Sequence, residues 1–412
     1  MTHTAVTPRA PACSPARTTQ RKINWDVIRI VAVFAVVAQH ATYAGRINHP
    51  ELGPSPFAFR LQLGASALVV ISAFFACATL AKGRPKEFLR SRLARLIPPY
   101  LVAVVITYLV ATRLGPPGWS SLGVRDLAFN LLMLQNWVPG VLFVDYSYWT
   151  LPVQVAGFLA AAALFVGRFG SGRGLRAVLW LLPAAPLVLR LAVDELPWLR
   201  TVYLGLALHR AHLFAIGVAL WLWSMRRLAG WQAAALGTAG LYAQYVHTAD
   251  RNSTIGVGVL LAAMAAAASG PDWNGRLVRP FAGAVRWLAG ISYGVYLLNQ
   301  EIGYLLMYRV HQLGGTALPQ IAVAFATAVL FGWLLTRLVE QPAHRALMRD
   351  NRLTRALGWL VRGRQAHGGS AGSEPDSPAP ALRPVSQASR SGPLPRTSDV
   401  PLPALLLTSQ LR

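Results

Sequence analysis

The sequence predicts an all-α membrane protein, a bundle of about ten transmembrane helices, on three observations. Of its 412 residues, 54% are hydrophobic and only 13% are charged, where a soluble domain carries about 25% charged residues. The apolar residues fall into ten runs, each near the ~20 residues that a helix needs to cross a bilayer. The basic residues, finally, are spread unevenly over alternate connections. With the N-terminus placed in the cytoplasm, the inner connections and tails hold 28 Lys and Arg against 8 in the outer ones, and Arg29, Arg210 and Arg337 fall inside spans. The positive-inside rule then puts both termini in the cytoplasm of a multi-pass protein of the cell membrane.

Taken in order, residues 1–24 are polar and basic, lack the apolar stretch and cleavage site of a signal peptide, and read as a cytoplasmic tail. The membrane domain covers 25–346. Its spans are expected at about 25–43, 61–81, 96–112, 149–167, 174–192, 204–224, 231–248, 254–269, 286–307 and 318–339. The longest outer connection, 113–148, contains LAFNLLMLQNWVPGVLFVDYSYW, which is apolar but broken by Asn, Pro and Gly. It is expected either to re-enter the membrane or to lie on its surface. Residues 347–412 form a second cytoplasmic tail, rich in Gly, Ser and Pro from about 363 and expected to be disordered there.

The net charge of +24 does not indicate nucleic-acid binding. The basic residues come in small clusters between apolar runs, and no basic stripe alternates with aromatics. Cys13 and Cys77 make neither a disulfide framework nor a metal-ligand pattern. No Gly-rich nucleotide loop, His-Glu-x-x-His site or Gly-x-Ser-x-Gly elbow is present.

The chemistry concentrates in DVIRIVAVFAVVAQHATYA, residues 26–44, where an apolar helix keeps Asp26, Arg29 and His40. Ionisable groups in hydrocarbon are costly and mark function. Arg29 and His40 are eleven residues apart, three turns plus about 20°, so they share one face with a rise of about 16 Å between them. Asp26 lies one turn before Arg29, close enough to pair with it. This arrangement suits an elongated anionic ligand entering from the cytoplasm. Arg29 would grip its phosphates, and His40, which titrates near neutrality, would take a proton from an attacking hydroxyl. The duller reading has Arg29 snorkelling to the headgroups and His40 making one interhelical hydrogen bond.

Other candidates lie along the chain. Arg90, Arg92 and Arg95 sit at the inner mouth of the third span, as topological anchors, as a phosphate site, or as both. His209, Arg210 and His212 lie near the outer end of the sixth span, either holding an acceptor or fixing the bundle. Tyr146, Tyr148 and Trp149 open the fourth span where an aromatic belt would place them. Ser292, Tyr293 and Tyr296 read as helix packing, Arg337 and Glu340 as an ion pair one turn apart, and Asp145 as a solvated loop carboxylate.

The segment NWDVIRIVAVFAVVAQHATYAG resembles the start of the membrane acyltransferase 3 family, the O-acetyl and O-acyl transferases of bacterial surface glycans and some secondary metabolites. That family carries Arg, ten residues, then His on its first helix, and Arg29 and His40 match. FLRSRLARLIPPY resembles its basic stretch, with Arg92, Arg95 and Pro98 in place. YWTLPVQVAGF is similar to its Trp-Ser/Thr-Leu-x-x-Glu signature, HRAHLFAIGVAL to its Arg-x-x-x-Phe-x-x-Gly segment, GISYGVYLLNQ to its Gly-x-Ser-Tyr-x-x-Tyr-Leu-x-His segment, and VEQPAH to its closing Glu-x-Pro. The likeness runs from about 21 to 346.

The resemblance implies an acyltransferase. Acyl-CoA, acetyl-CoA above all, is its donor substrate and no cofactor or metal is permanently bound. Arg29 and His40 would be catalytic, and Arg29, Arg92 and Arg95 would hold the donor. Asp26, Trp149, Gln154, Arg210, Asn299 and Glu340 would support them. The acceptor would be a hydroxyl of a glycan, a glycolipid or a small molecule. Two positions depart from the pattern: Gln154 replaces Glu and Asn299 replaces His. Each loses an ionisable group, so His40 is expected to stand more alone as the base. The competing reading is an exporter or flippase of a lipid-linked sugar or metabolite, whose pathway the same polar stripe would line.

Overall fold

The computed structural model describes residues 22–166, 172–276 and 278–349. Nearly all of the two expected tails lies outside these residues. Among the described residues there are helices and no strands. Each of the ten expected spans coincides with a helix. Seven are long and apolar enough to cross a membrane by themselves, and a bent pair makes an eighth.

Helix α1 (Asn24–Gln39) starts against a distant loop. The Ile23 amide donates to Asp272 Oδ1 at 3.0 Å, Asn24 Nδ2 donates to the Pro271 carbonyl at 2.8 Å, and the Trp273 amide donates to Asn24 Oδ1 at 2.7 Å. The polar groups at this helix start are thereby satisfied without a local cap. A π-helical turn, His40–Ala44, joins α1 to the short α2 (Gly45–Asn48). Helix α3 (Gly64–Leu80), at 17 residues, is one of the two spans short of the full criterion. Helix α4 (Pro85–Leu109) has Pro in its first turn, where no amide is needed, and ends in a second π-helical turn, Val110–Leu114.

The connection 113–148, expected on the outer side, is a folded cap. It contains α5 (Val124–Leu131), whose Asp126 accepts from the Gly123 and Leu142 amides at 2.8 Å each. Asn130 donates to the Leu142 carbonyl at 2.8 Å and accepts from the Val144 amide at 3.1 Å. Tyr100 of α4 donates its hydroxyl to the Asn130 carbonyl. The Asn that breaks the apolar pattern is therefore the residue that closes the loop on itself.

Helices α6 (Thr150–Val166) and α7 (Gly172–Val193) follow. The sixth span is broken: α8 (Pro197–Gly205) and α9 (Ala211–Ser224) meet through a 3-10 turn, Leu208–Arg210, with a bend of 55°. Ala207 holds the break in the left-handed region at φ 56°, which a residue with a Cβ adopts at a cost. Helix α10 (Gly230–Thr248) is the other of these two, long enough at 19 residues but less apolar, whereas α3 is apolar but short. Helix α11 (Arg251–Ser269) is capped by Asp250, which accepts from the Asn252 and Ser253 amides at 2.9 and 3.1 Å. The expected span 286–307 is two helices, α12 (Ala282–Leu298) and α13 (Glu301–Gln312), parted at Asn299 and Gln300. Helix α14 (Ala317–Leu335) runs through a third π-helical turn, Thr336–Glu340, into α15 (Gln341–Arg349).

Small residues set the packing. A Cβ on Gly217 of α9 would lie 2.5 Å from the Val70 carbonyl of α3, and one on Gly294 of α12 would lie 2.3 Å from the Gly332 carbonyl of α14. Lipid tails are as apolar as the helices, so close backbone approach replaces the hydrophobic effect as the force between them.

Candidate active site

Helices α1, α3, α4, α6 and α12 and the π-helical turn before α15 enclose a cavity of about 130 Å³. Arg29, Arg92 and Arg95 line it together with Glu340, Ser72, Gln154, Thr150 and Tyr296, and His40 is not among its lining residues. The three arginines expected to hold the donor thus face one space.

Each is placed differently. The Arg29 guanidinium stands 5.9 Å from the centre of the Phe75 ring, and Asp26 is buried one turn before it. Arg92 is half-buried and donates from Nη2 to the Phe75 carbonyl at 2.9 Å and to Thr79 Oγ1 at 3.1 Å. Arg95 reaches Glu340 with Nη2 at 3.2 Å and Nε at 3.3 Å from Oε1. Glu340 was expected to pair with Arg337. The wider turn at Thr336–Glu340 takes these two residues off a common face, Arg337 is exposed, and Glu340 pairs with Arg95 instead.

His40 sits where α1 passes into its π-helical turn, a feature frequent at functional sites. Its Nδ1 is 2.7 Å from Asn299 Oδ1. Asn299 Nδ2 donates to the Tyr296 carbonyl at 2.7 Å, which fixes the amide orientation because a carbonyl can only accept. Asn299 Oδ1 is then the acceptor, His40 Nδ1 carries the proton, and Nε2 keeps its lone pair. The substitution expected to isolate His40 therefore holds its tautomer.

The other departure is also satisfied. Gln154 Oε1 accepts from Ser72 Oγ at 3.0 Å, so the amide joins α6 to α3 across the cavity. Beyond it, Thr150 Oγ1 donates to Tyr296 Oη at 3.0 Å, and Tyr296 donates to the Ser147 carbonyl at 2.6 Å. Tyr293 donates to the Leu96 carbonyl at 2.8 Å. Ser292, Tyr293 and Tyr296 thus tie helices together and also form cavity wall.

Asp145 corrects the expectation of a solvated carboxylate. It is 1% exposed, accepts from the Ser147 amide at 2.8 Å and from the Ser147 hydroxyl, and receives the Glu301 amide at 3.4 Å. Burial pushes its carboxyl up to about 6, against the lowering effect of the Ser147 hydrogen bonds.

Trp149 and Arg210 meet: the guanidinium lies 4.2 Å from the centre of the indole, a cation–π stack. His209 is buried beside the His247 ring at 5.3 Å, and His212 bonds Gln244 Oε1 through Nε2 at 3.0 Å.

Four residues near His40 carried no signal in the sequence. Tyr304 lies 6.3 Å from the imidazole, ring to ring, and its buried hydroxyl has no partner. His49 stacks on Trp119 at 3.7 Å and meets Tyr304 edge-on at 5.4 Å. Glu301 begins the helix that follows Asn299. Only its position two residues after the Tyr-Leu-x-Asn segment could have drawn attention to it.

Fold and site together define a class: a multi-pass helical membrane protein whose first helix brings Arg29 to a cavity and runs into a π-helical turn that begins at His40. A family model described as an acyltransferase domain matches residues 22–337. The chain belongs to that acyltransferase family. No curated protein and no solved structure matches it.

Proposed function

We propose that this membrane acyltransferase moves an acyl group, acetyl by the family resemblance, from cytoplasmic acyl-CoA to a hydroxyl of a carbohydrate or secondary-metabolite acceptor. The observation that carries the reading is the fixed tautomer of His40, a base with its lone pair on Nε2, on the continuation of the helix whose Arg29 shares a cavity with Arg92 and Arg95.

The donor phosphates lie with Arg29, Arg92 and Arg95, where charge-assisted and bidentate contacts are strongest. His40 Nε2 takes the proton from the acceptor hydroxyl as its oxygen attacks the thioester carbonyl. The carbon–sulfur bond then breaks, the coenzyme thiolate leaves, and the imidazolium returns the proton to it. Asn299 holds the ring through this cycle, accepting from Nδ1 throughout. Both termini lie in the cytoplasm and the protein resides in the cell membrane.

The test is isotopic. Wild type and His40→Ala are expressed in a strain lacking the native gene and fed labelled acetate, with membrane levels of both proteins checked. Surface glycans and secreted metabolites are compared by mass. Label that appears with wild type and not with His40→Ala supports the reading. A label pattern identical in both, with an exported product instead, replaces it with transport.

A further inference from the structure

The break in the sixth span holds a second polar cluster, separate from the donor cavity. Arg210 is its centre. Its guanidinium stacks on Trp149, has no carboxylate within ion-pair distance among the described residues, and leaves Nε buried without a hydrogen-bond partner. Around it stand more unanswered groups. His209, 7% exposed, has no partner at Nδ1. His212, fully buried, has none at Nδ1 although Nε2 meets Gln244. Gln244 Nε2 is also unpaired. Buried polar groups are nearly always paired, because each unmet one has lost its water without a replacement. Here four unmet atoms fall in one place.

Two of these atoms, Arg210 Nε and Gln244 Nε2, can only donate, whereas His212 donates from Nε2 to Gln244 Oε1 and so keeps a lone pair on Nδ1. The N-terminus of the 14-residue α9 begins immediately after Arg210, adding the positive end of a helix dipole. The residues do not suit a metal: among the described residues no three His, Cys, Asp or Glu side chains are grouped to hold one. Two unmet buried donors, Arg210 Nε and Gln244 Nε2, beside a half-buried cation with no carboxylate partner among the described residues suit an anion.

The cluster adjoins the cavity. Trp149, beneath Arg210, precedes Thr150, which lines the cavity and bonds Tyr296, and the Tyr296 carbonyl holds Asn299 against His40. Tyr146 nearby is exposed, so the cluster is near the surface.

We propose that this cluster binds an anionic group, a carboxylate or a phosphate, on the acceptor substrate. It rests on the acyltransferase reading and narrows it: the acceptor is acidic, and Arg210 positions it by that group so that its hydroxyl meets His40. Neutral sugars lack the group that the site is built to pair.

Purified protein in neutral-lipid nanodiscs is titrated with inorganic phosphate, glucuronate or glucose, at constant ionic strength, and followed by thermal midpoint and by tryptophan fluorescence. Phosphate or glucuronate is expected to raise the midpoint saturably and to change the emission, and glucose to do neither. A preference for phosphate points to a phosphorylated acceptor, and a preference for glucuronate to a uronic or other carboxylic one. Arg210→Gln should weaken binding by about tenfold or more, as loss of a charge-assisted contact does, Arg210→Lys should keep part of it, and Trp149→Phe should remove the fluorescence change while retaining the midpoint shift. His40→Gln should bind the anion as wild type does. The absence of a saturable shift with either anion, or a shift undiminished in Arg210→Gln, overturns the proposal. Anion binding without His40-dependent labelling in cells would leave this site standing and remove the acyl-transfer reading. Labelling without anion binding would do the reverse.

Discussion

The inner arginines and Arg210 are the same side chain in two opposite states. Arg95 answers Glu340, and Arg92 answers the Phe75 carbonyl and Thr79. Arg210 is answered only by the face of an indole. The protein has completed one cationic region with its own groups and has left the other for something else. A cation that the fold has already satisfied helps to hold helices together and lends its remaining donors to a ligand, whereas one left unsatisfied costs stability until its ligand arrives. His40 lies between these extremes, with Asn299 on one nitrogen and the other unclaimed.

The largest effect expected is at His40. His40→Ala should lower acyl transfer by about 10²–10⁴-fold, measured as labelled product per amount of membrane protein. Asn299→Leu comes next. It frees the ring and its tautomer, so the maximal rate should fall by about 10–100-fold with little change in the donor concentration giving half-maximal rate. Asn299→Asp, which still offers an accepting oxygen to Nδ1, should retain far more of that rate. Equal losses in both variants would mean that Asn299 merely fills space.

The two arginine regions should then separate by stability. Arg95→Ala leaves the Glu340 carboxylate buried without its partner, and should destabilise by about 1 kcal/mol, since Arg95 is itself half in solvent. Arg95→Ala with Glu340→Gln should recover most of that. Arg210→Met should do the opposite and raise the thermal midpoint of the ligand-free protein, because it removes an uncompensated charge and keeps the packing on Trp149. Thermal melts of the four proteins in one detergent test this, and a midpoint lowered by Arg210→Met would erase the contrast drawn above.

A further effect concerns Asp145. Its carboxyl rises from its ordinary 3.8 to about 6 in the folded protein, so the folded state holds that proton more tightly. The resulting stability is full below pH 3.8 and is lost as pH rises through about 6. Asp145→Asn should lack this fall, changing the thermal midpoint between pH 4 and 6 by a few degrees overall.

How far the sequence reaches differs between these regions for physical reasons. The ten helical segments were legible because apolar runs bounded by basic or turn-forming residues report directly on the bilayer. The inner arginines were legible because charge against hydrocarbon is conspicuous. The break at Ala207 was not, since neither Gly nor Pro occupies it and the left-handed backbone is imposed by the surrounding packing. The partner of Glu340 was missed because a π-helical turn shifts the register of its face without any mark in the pattern. Asp145 was misread because its burial depends on Glu301, 156 residues away. Asn299 was taken as a loss because its role lies in a hydrogen bond to a residue 259 positions earlier.

That separation has a consequence in time. The first helix leaves the ribosome early, yet the Pro271 and Asp272 groups that anchor its start and the Asn299 that holds His40 come about 250 residues later. At roughly 5–20 residues per second of synthesis, this helix waits on the order of ten seconds to a minute in the membrane with its imidazole unclaimed. The first helix is therefore closed against its partners only late in synthesis, and a nascent chain stalled before residue 270 would hold Arg29, Arg92 and Arg95 without the groups that anchor α1 and hold His40.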